Sequence, residues 1–162
     1  DARVQQLAEE LRRGNSSKQK NAVSELALLS SASEAARTAI VTSGAEEMVG
    51  QVLASASDPQ LLCWVLAVLS DVSSERSTAS RLHERQAGTV THLCRLLSSP
   101  DAKVQHAATL HIATLSRSEQ LRGLITRKGG LEQLWAIEKP FNKCALSSST
   151  ATTSIYYPSR KR

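Results

Sequence analysis

The chain has 162 residues, 41% of them hydrophobic but only 3% aromatic, and a formal net charge of +5. That length suits about one domain with an aliphatic core; no apolar run is long enough to span a bilayer, and no charged-then-apolar leader opens the chain. Three cysteines, Cys63, Cys94 and Cys144, are odd in number and widely spaced, which points to a reducing compartment, cytosol or nucleus. A first residue of Asp rather than Met points to an excised or processed fragment.

Val4, Leu7 and Leu11 recur at helical spacing and predict a helix over Val4 to Arg13, with Gly14-Asn15-Ser16-Ser17 as its stop and turn. A long helix follows from Lys18 to Ser31, with Ala22, Leu26 and Leu29 inward. Ser33 is the N-cap expected for Glu34 to Ser43. After Gly44 comes a helix from Glu46 to Ala54, then Ser57-Asp58-Pro59, where proline suits a first helical position. The next long helix, Gln60 to Val72, is apolar nearly all round, as a helix buried on most sides should be. Glu75 to Gln86 is the least hydrophobic short helix and is expected to face solvent. Val90, Leu93, Leu96 and Leu97 mark a helix ending at Ser98-Ser99-Pro100-Asp101, with Asp101 as cap for a long helix whose inner face is Val104, Ala107, Ala108, Ile112 and Leu115. Leu121, Leu124 and Ile125 form a short helix that closes at Gly129-Gly130. A last helix from Leu131 is expected to break at Pro140. The Ser/Thr-rich remainder, Asn142 to Arg162, reads as disordered or extended, because such side chains compete for backbone hydrogen bonds.

The pattern repeats. Gly44, Gly88 and Gly129 lie 44 and 41 residues apart, within the band of helical solenoid repeats. Seven residues before each stands an arginine (Arg37, Arg81, Arg122), and five after each an apolar residue (Val49, Leu93, Leu134). The segments Ala36-Arg37-Thr38-Ala39-Ile40-Val41-Thr42-Ser43-Gly44 and Ser98-Ser99-Pro100-Asp101-Ala102-Lys103-Val104-Gln105-His106-Ala107-Ala108 resemble armadillo repeats, over roughly Asp1 to Ile137. The resemblance implies an all-α, short, right-handed superhelical solenoid of about three repeats. Its parts would be a partial repeat 1–43, repeats 44–87 and 88–128, a partial repeat 129–139, and an irregular tail 140–162. Neither end shows an obvious polar cap, so a longer array, a partner or self-association through the ends is expected to cover them.

Catalytic and metal chemistry find little support. His106 and His111 are five apart and diverge around a helix, as do His92 and Cys94; they read as surface or boundary residues, and no metal or cofactor is expected. Cys63 and Cys94 sit on helical stripes without a nucleophile signature. Gly129-Gly130 lacks the strand and lysine of a phosphate loop. Glu9-Glu10 and Glu46-Glu47, near helix starts, read as solvated or dipole-compensating. An enzyme is not expected.

Function must then come from shape, because the long helices of such arrays line a concave face that binds other proteins. In the nuclear-import members of the family that face carries a tryptophan and, four residues on, an asparagine. The matching positions here are Ser24, Ala67 and Leu110, and Leu28, Asp71 and Thr114. None agrees, so a nuclear-localisation-signal receptor of the usual kind is excluded. The groove is expected to be lined by Lys20, Ser24, Leu28, Trp64, Ala67, Asp71, His106, Leu110 and Thr114, with Trp64 as the anchor or, equally, a core residue. This mixture suits a peptide or helix of another protein. The register-matched arginines are expected to hold carbonyls at helix ends. The alternative rests on charge: residues 117–162 carry 9 basic and 3 acidic side chains. Arg117, Arg122, Arg127, Lys128, Arg160, Lys161 and Arg162 would there meet an acidic protein, RNA or an anionic membrane. Scarce aromatics and the lack of an RNA motif disfavour nucleic acid.

Overall fold

The computed structural model describes residues 2–74, 85 and 87–145, with side chains placed through residue 137. All regular structure among them is helical: α1 (Ala2–Arg13), α2 (Ser16–Ala32), α3 (Glu34–Ser43), α4 (Ala45–Ser55), α5 (Pro59–Ser73), α6 (Val90–Leu96), α7 (Ala102–Leu115), α8 (Glu119–Arg127) and α9 (Gly130–Ala145). The short helix expected over Glu75 to Gln86 lies outside the described residues apart from Arg85.

Side-chain caps set the starts. Ser33, Asp58, Asp101 and Ser118 each accept a backbone N–H from the first turn of the helix they precede. Asn15 does the same for Lys18 N at 3.0 Å. That cap starts α2 at Ser16, so the four-residue turn expected at Gly14–Ser17 shrinks to Gly14 and Asn15. Two of the repeat-marking glycines turn the chain between short helices in the left-handed region, Gly44 at φ 73° and Gly129 at φ 76°. An L-residue pays about 1–2 kcal/mol to sit there. Gly88, the third, does not adopt that conformation.

The long helices α2, α5 and α7 lie side by side with α5 in the middle. Lys20 Nζ meets Asp58 Oδ2 at 2.6 Å near their starts, and Ser30 Oγ donates to Asp71 Oδ2 at 2.8 Å near their ends, so α2 and α5 run parallel. Ser70 and Thr114 hydroxyls pair at 3.4 Å near the ends of α5 and α7. Leu62, Val65, Leu66, Val68, Leu69 and Val72 of α5 are buried, each worth at most about 1.5–3 kcal/mol by the area it removes from water. The short helices pack beneath: α1, α3 and α4 under α2 and α5, and α6 and α8 under α7.

Two expectations need correction. α9 runs on through Pro140 to Ala145 rather than breaking there. The carbonyl that proline deprives of an N–H is that of Ala136, on an exposed part of the helix where water can take its place. His111 is neither a surface nor a boundary residue. It is fully buried, and both ring nitrogens lack a hydrogen-bond partner. Burial lowers its pKa to about 3, so the folded protein holds it neutral while the unfolded chain takes up a proton below the ordinary value near 6.5.

Two measurements follow. Gly44→Ala should lower the unfolding free energy by about 1 kcal/mol. An added Cβ has open space at that position, so the loss seen in urea denaturation would come from φ alone. His111 contributes stability that is fully present above pH 6.5 and drains away as pH falls toward its folded value of about 3. Between pH 7.5 and 5 the loss is about 2 kcal/mol. His111→Leu should remove that part of the pH dependence, and an unchanged pH profile would show that the imidazole is not kept neutral by burial.

Candidate binding surfaces

The starts of the three long helices define one edge of the expected groove and their ends the other. None of its nine lining residues is buried: Leu28, Ala67, His106 and Leu110 are exposed, and Lys20, Ser24, Trp64, Asp71 and Thr114 are half-buried. Their availability differs. Lys20 is ion-paired with Asp58, whose carboxyl it holds below the usual range, and its ammonium sits 5.9 Å from the Trp64 ring centroid. Trp64 is half-buried and packs against the core, as its core reading expected. Asp71 and Thr114 are engaged by Ser30 and Ser70. What stands out toward solvent is mainly aliphatic: Leu28 is 71% and Leu110 53% exposed, with exposed Ala67 on the helix between them and exposed His106 one turn before Leu110.

Beneath that face, side chains clamp the carbonyls at helix ends. Arg37 Nη1 donates to Ser30 O at 2.8 Å and Arg122 Nη1 to Ser116 O at 3.0 Å, as expected of the register-matched arginines; Arg81 lies outside the described residues. A second clamp went unread in the sequence. Gln19 Nε2 donates to Leu11 O at 3.0 Å and Gln105 Nε2 to Leu97 O at 2.8 Å, each reaching eight residues back from a long helix to the end of the short helix before it. The signal was a glutamine recurring two repeats apart.

The basic cluster is partly committed to this framework. Arg117, Arg122, Arg127 and Lys128 are exposed, but one Arg122 nitrogen is already engaged. Arg160, Lys161 and Arg162 lie outside the described residues. Glu46 departs from the solvated role read for it. It is buried and ion-paired with Arg85 at 2.5 Å, while its Oε2 has no partner. Burial raises its pKa and Arg85 opposes that rise.

Elsewhere the chemistry is quiet. Burial pushes the Cys63 and Cys94 thiols up, away from thiolate. Among the described residues no three His, Cys, Asp or Glu side chains gather as a metal site, and no helix is long and apolar enough to cross a membrane. The two sides of the stack differ. α1 turns Gln5, Gln6, Arg12 and Arg13 outward, a polar surface where the sequence suggested none. α9 turns out Leu131, 43% exposed, and Trp135, 66% exposed, an apolar pair one helical turn apart that the sequence reading passed over.

Parallel long helices over shorter ones, with left-handed glycines at the joints, define an α-solenoid of helical repeats. Residues 79–117 match the Armadillo/beta-catenin-like repeat family. No curated protein sequence matches the chain. Two engineered proteins solved by the Northeast Structural Genomics Consortium superpose with TM-scores of 0.72 and 0.74, both at 27% identity. The matches cover 83% and 84% of this chain and 54% and 33% of theirs. A designed armadillo repeat protein in complex with the peptide (KR)4 superposes with a TM-score of 0.72 at 19% identity, over 83% of this chain and 56% of that one. The chain thus spans about half the length of the first of these structures. The matched repeat and the superpositions together show an armadillo-repeat fold, a short superhelical solenoid.

The arginine clamps should differ in weight, because Arg37 is half-buried and Arg122 exposed. Arg37→Leu should cost about 1.5–3 kcal/mol in chemical denaturation, the range for a hydrogen bond to a charged donor, and Arg122→Leu under about 1 kcal/mol. Equal losses would show that solvent does not replace the Arg122 bond.

Proposed function

We propose that the protein is a non-catalytic interaction scaffold that holds an amphipathic peptide or helix of another protein across the concave face of α2, α5 and α7. The observation that carries this reading is the mainly aliphatic character of what the face leaves open, Leu28, Ala67 and Leu110 beside His106, while its charged members Lys20 and Asp71 are engaged within the stack. A solved armadillo relative in fold binds a peptide, which supports the mode of binding but not the ligand, since that peptide is (KR)4 and this face offers no free row of carboxylates. The occupant that suits it brings leucine-like anchors with small polar residues between them. The free Cys63 and Cys94 suit work in cytosol or nucleus.

Selection of displayed peptides against the immobilised protein tests this. Selected peptides should carry aliphatic anchors, lose about tenfold in affinity on Leu110→Ser and similarly on Leu28→Ser, and change little between about 50 and 200 mM salt. A pool of acidic peptides whose binding collapses over that salt range, indifferent to both leucines, would instead assign binding to the basic residues from Arg117 onward.

A further inference from the structure

We infer, given that the face of α2, α5 and α7 is the binding face, that its occupant is an α-helix of another protein and not an extended peptide. The helix crosses from Leu28 over Ala67 to Leu110, with an acidic residue beside Lys103 and His106. An extended chain and a helix make different demands on a surface. The first needs donors and acceptors for its backbone, whereas the second has satisfied its backbone within itself.

Hydroxyls would be the natural hooks for an extended chain, and here they are turned inward. Ser24 Oγ donates to Asn21 O at 2.8 Å and Ser31 Oγ to Leu28 O at 2.9 Å. Ser74 Oγ donates to Asp71 O at 2.6 Å and Thr114 Oγ1 to Leu110 O at 3.1 Å. The Asp71 carboxylate takes the Ser30 hydroxyl and can accept more, but it has no proton to give a carbonyl. Lys20 is held by Asp58. The nitrogen donors Trp64, His106 and Lys103 stand about a turn or more nearer the helix starts than Ala67 and Leu110. A strand laid through Leu28, Ala67 and Leu110 would turn carbonyls onto side chains that offer them nothing.

Spacing says what the helix carries. Packed helix axes lie about 8–10 Å apart, so α2 and α7 are about 16–20 Å apart across α5. A helix covers that span in about 11–13 residues, and positions about eleven apart return to nearly one side after three turns. A strand covers it in about five or six. Ala67 is the small member between the two leucines, where a helix can come close. Charge fixes direction. Lys103, His106 and Leu110 follow at three and four residues on α7, one exposed stripe. Asp101 spends its carboxylate on the N–H groups of Lys103 and Val104. A glutamate beside the anchor over Leu110 thus orients the helix more than it tightens it. A second copy has no such helix to lend among its described residues, since their exposed large apolar side chains are Leu28, Leu110, Leu131 and Trp135. Residues 146–162 are Ser/Thr-rich and form helix poorly. A helix of another protein answers the face.

The probes are two capped peptides of about 16 residues, each with a pair of leucine anchors and one adjacent glutamate. The first is built on alanine and glutamine with its anchors about eleven apart, the second on threonine and serine with them about six apart. Binding to the full chain is read from the anisotropy of a dye on the peptide. The expected result is saturable binding of the first, about tenfold weaker on Leu28→Ser or Leu110→Ser, and lost on proline at the peptide's centre. Circular dichroism should gain helix signal on mixing. Lys103→Gln should weaken the first peptide about threefold, and not at all once its glutamate is glutamine. Tighter, leucine-dependent binding of the second peptide overturns the helix while leaving the face a binding face. Binding of both peptides that ignores the two leucines overturns helix and face together. No saturable binding of the first up to about 1 mM also overturns the proposal. Self-association of the wild type that Leu110→Ser abolishes would assign the face to a second copy. Peptide affinity that rises on joint Tyr156→Ser and Tyr157→Ser would assign it to the chain's own end, and either outcome overturns the proposal too.

Discussion

The contact on which the rest depends is the flank-to-flank packing of α5 between α2 and α7. A helix with no polar side is insoluble alone, and α5 becomes tolerable only because both neighbours cover it. Burying Leu62, Val65, Leu66, Val68, Leu69 and Val72 at once couples the layers, so neighbouring repeats contribute to one another's stability. The same packing leaves one face of the long helices open. Helices that spend their flanks on each other and their undersides on α4, α6 and α8 have one side left, and what projects there is whatever the core did not require.

Polar groups inside such a stack must be tied down, and most are. The glutamine and arginine clamps absorb the carbonyls at the ends of α1, α2, α6 and α7, where helices necessarily run out of internal donors. His111, Glu46 and Gln133 are the exceptions among the described residues, each with at least one buried atom lacking a partner, and the two that titrate are His111 and Glu46. They pull in opposite directions with pH. The imidazole is held neutral and loses stability for the fold on acidification, whereas the Glu46 carboxyl is raised by burial, which favours its protonated form as the medium becomes acid. Arg85 limits the second effect by rewarding the charged form.

The layered helical plan was legible because its causes are local. Apolar spacing set the helices, Ser33, Asp58 and Asp101 announced their starts, and recurring glycines and arginines betrayed the repeat. The role of the arginines was readable for the same reason, since a carbonyl left over at a helix end sits at a fixed distance along the chain. Contacts between repeats were not readable. The ion pair of Lys20 with Asp58 spans 38 residues, and its cover over Trp64 depends on how two helices are offset. His111 looked like a boundary residue because periodicity reports one face of a helix, and α7 is covered on more than one. The run of α9 past Pro140 shows the converse limit, a local rule relaxed where the deprived carbonyl faces water.

The polar outer surface of α1 and the apolar outer surface of α9 give the molecule a direction. Endless polymerisation of copies in single file would need adhesive ground at both extremities, each made to fit the other. Here Gln5, Gln6, Arg12 and Arg13 offer water-loving ground where a greasy counterpart to Leu131 and Trp135 would be required. Whatever settles on α9 therefore finds no matching apolar pair among the exposed residues of α1.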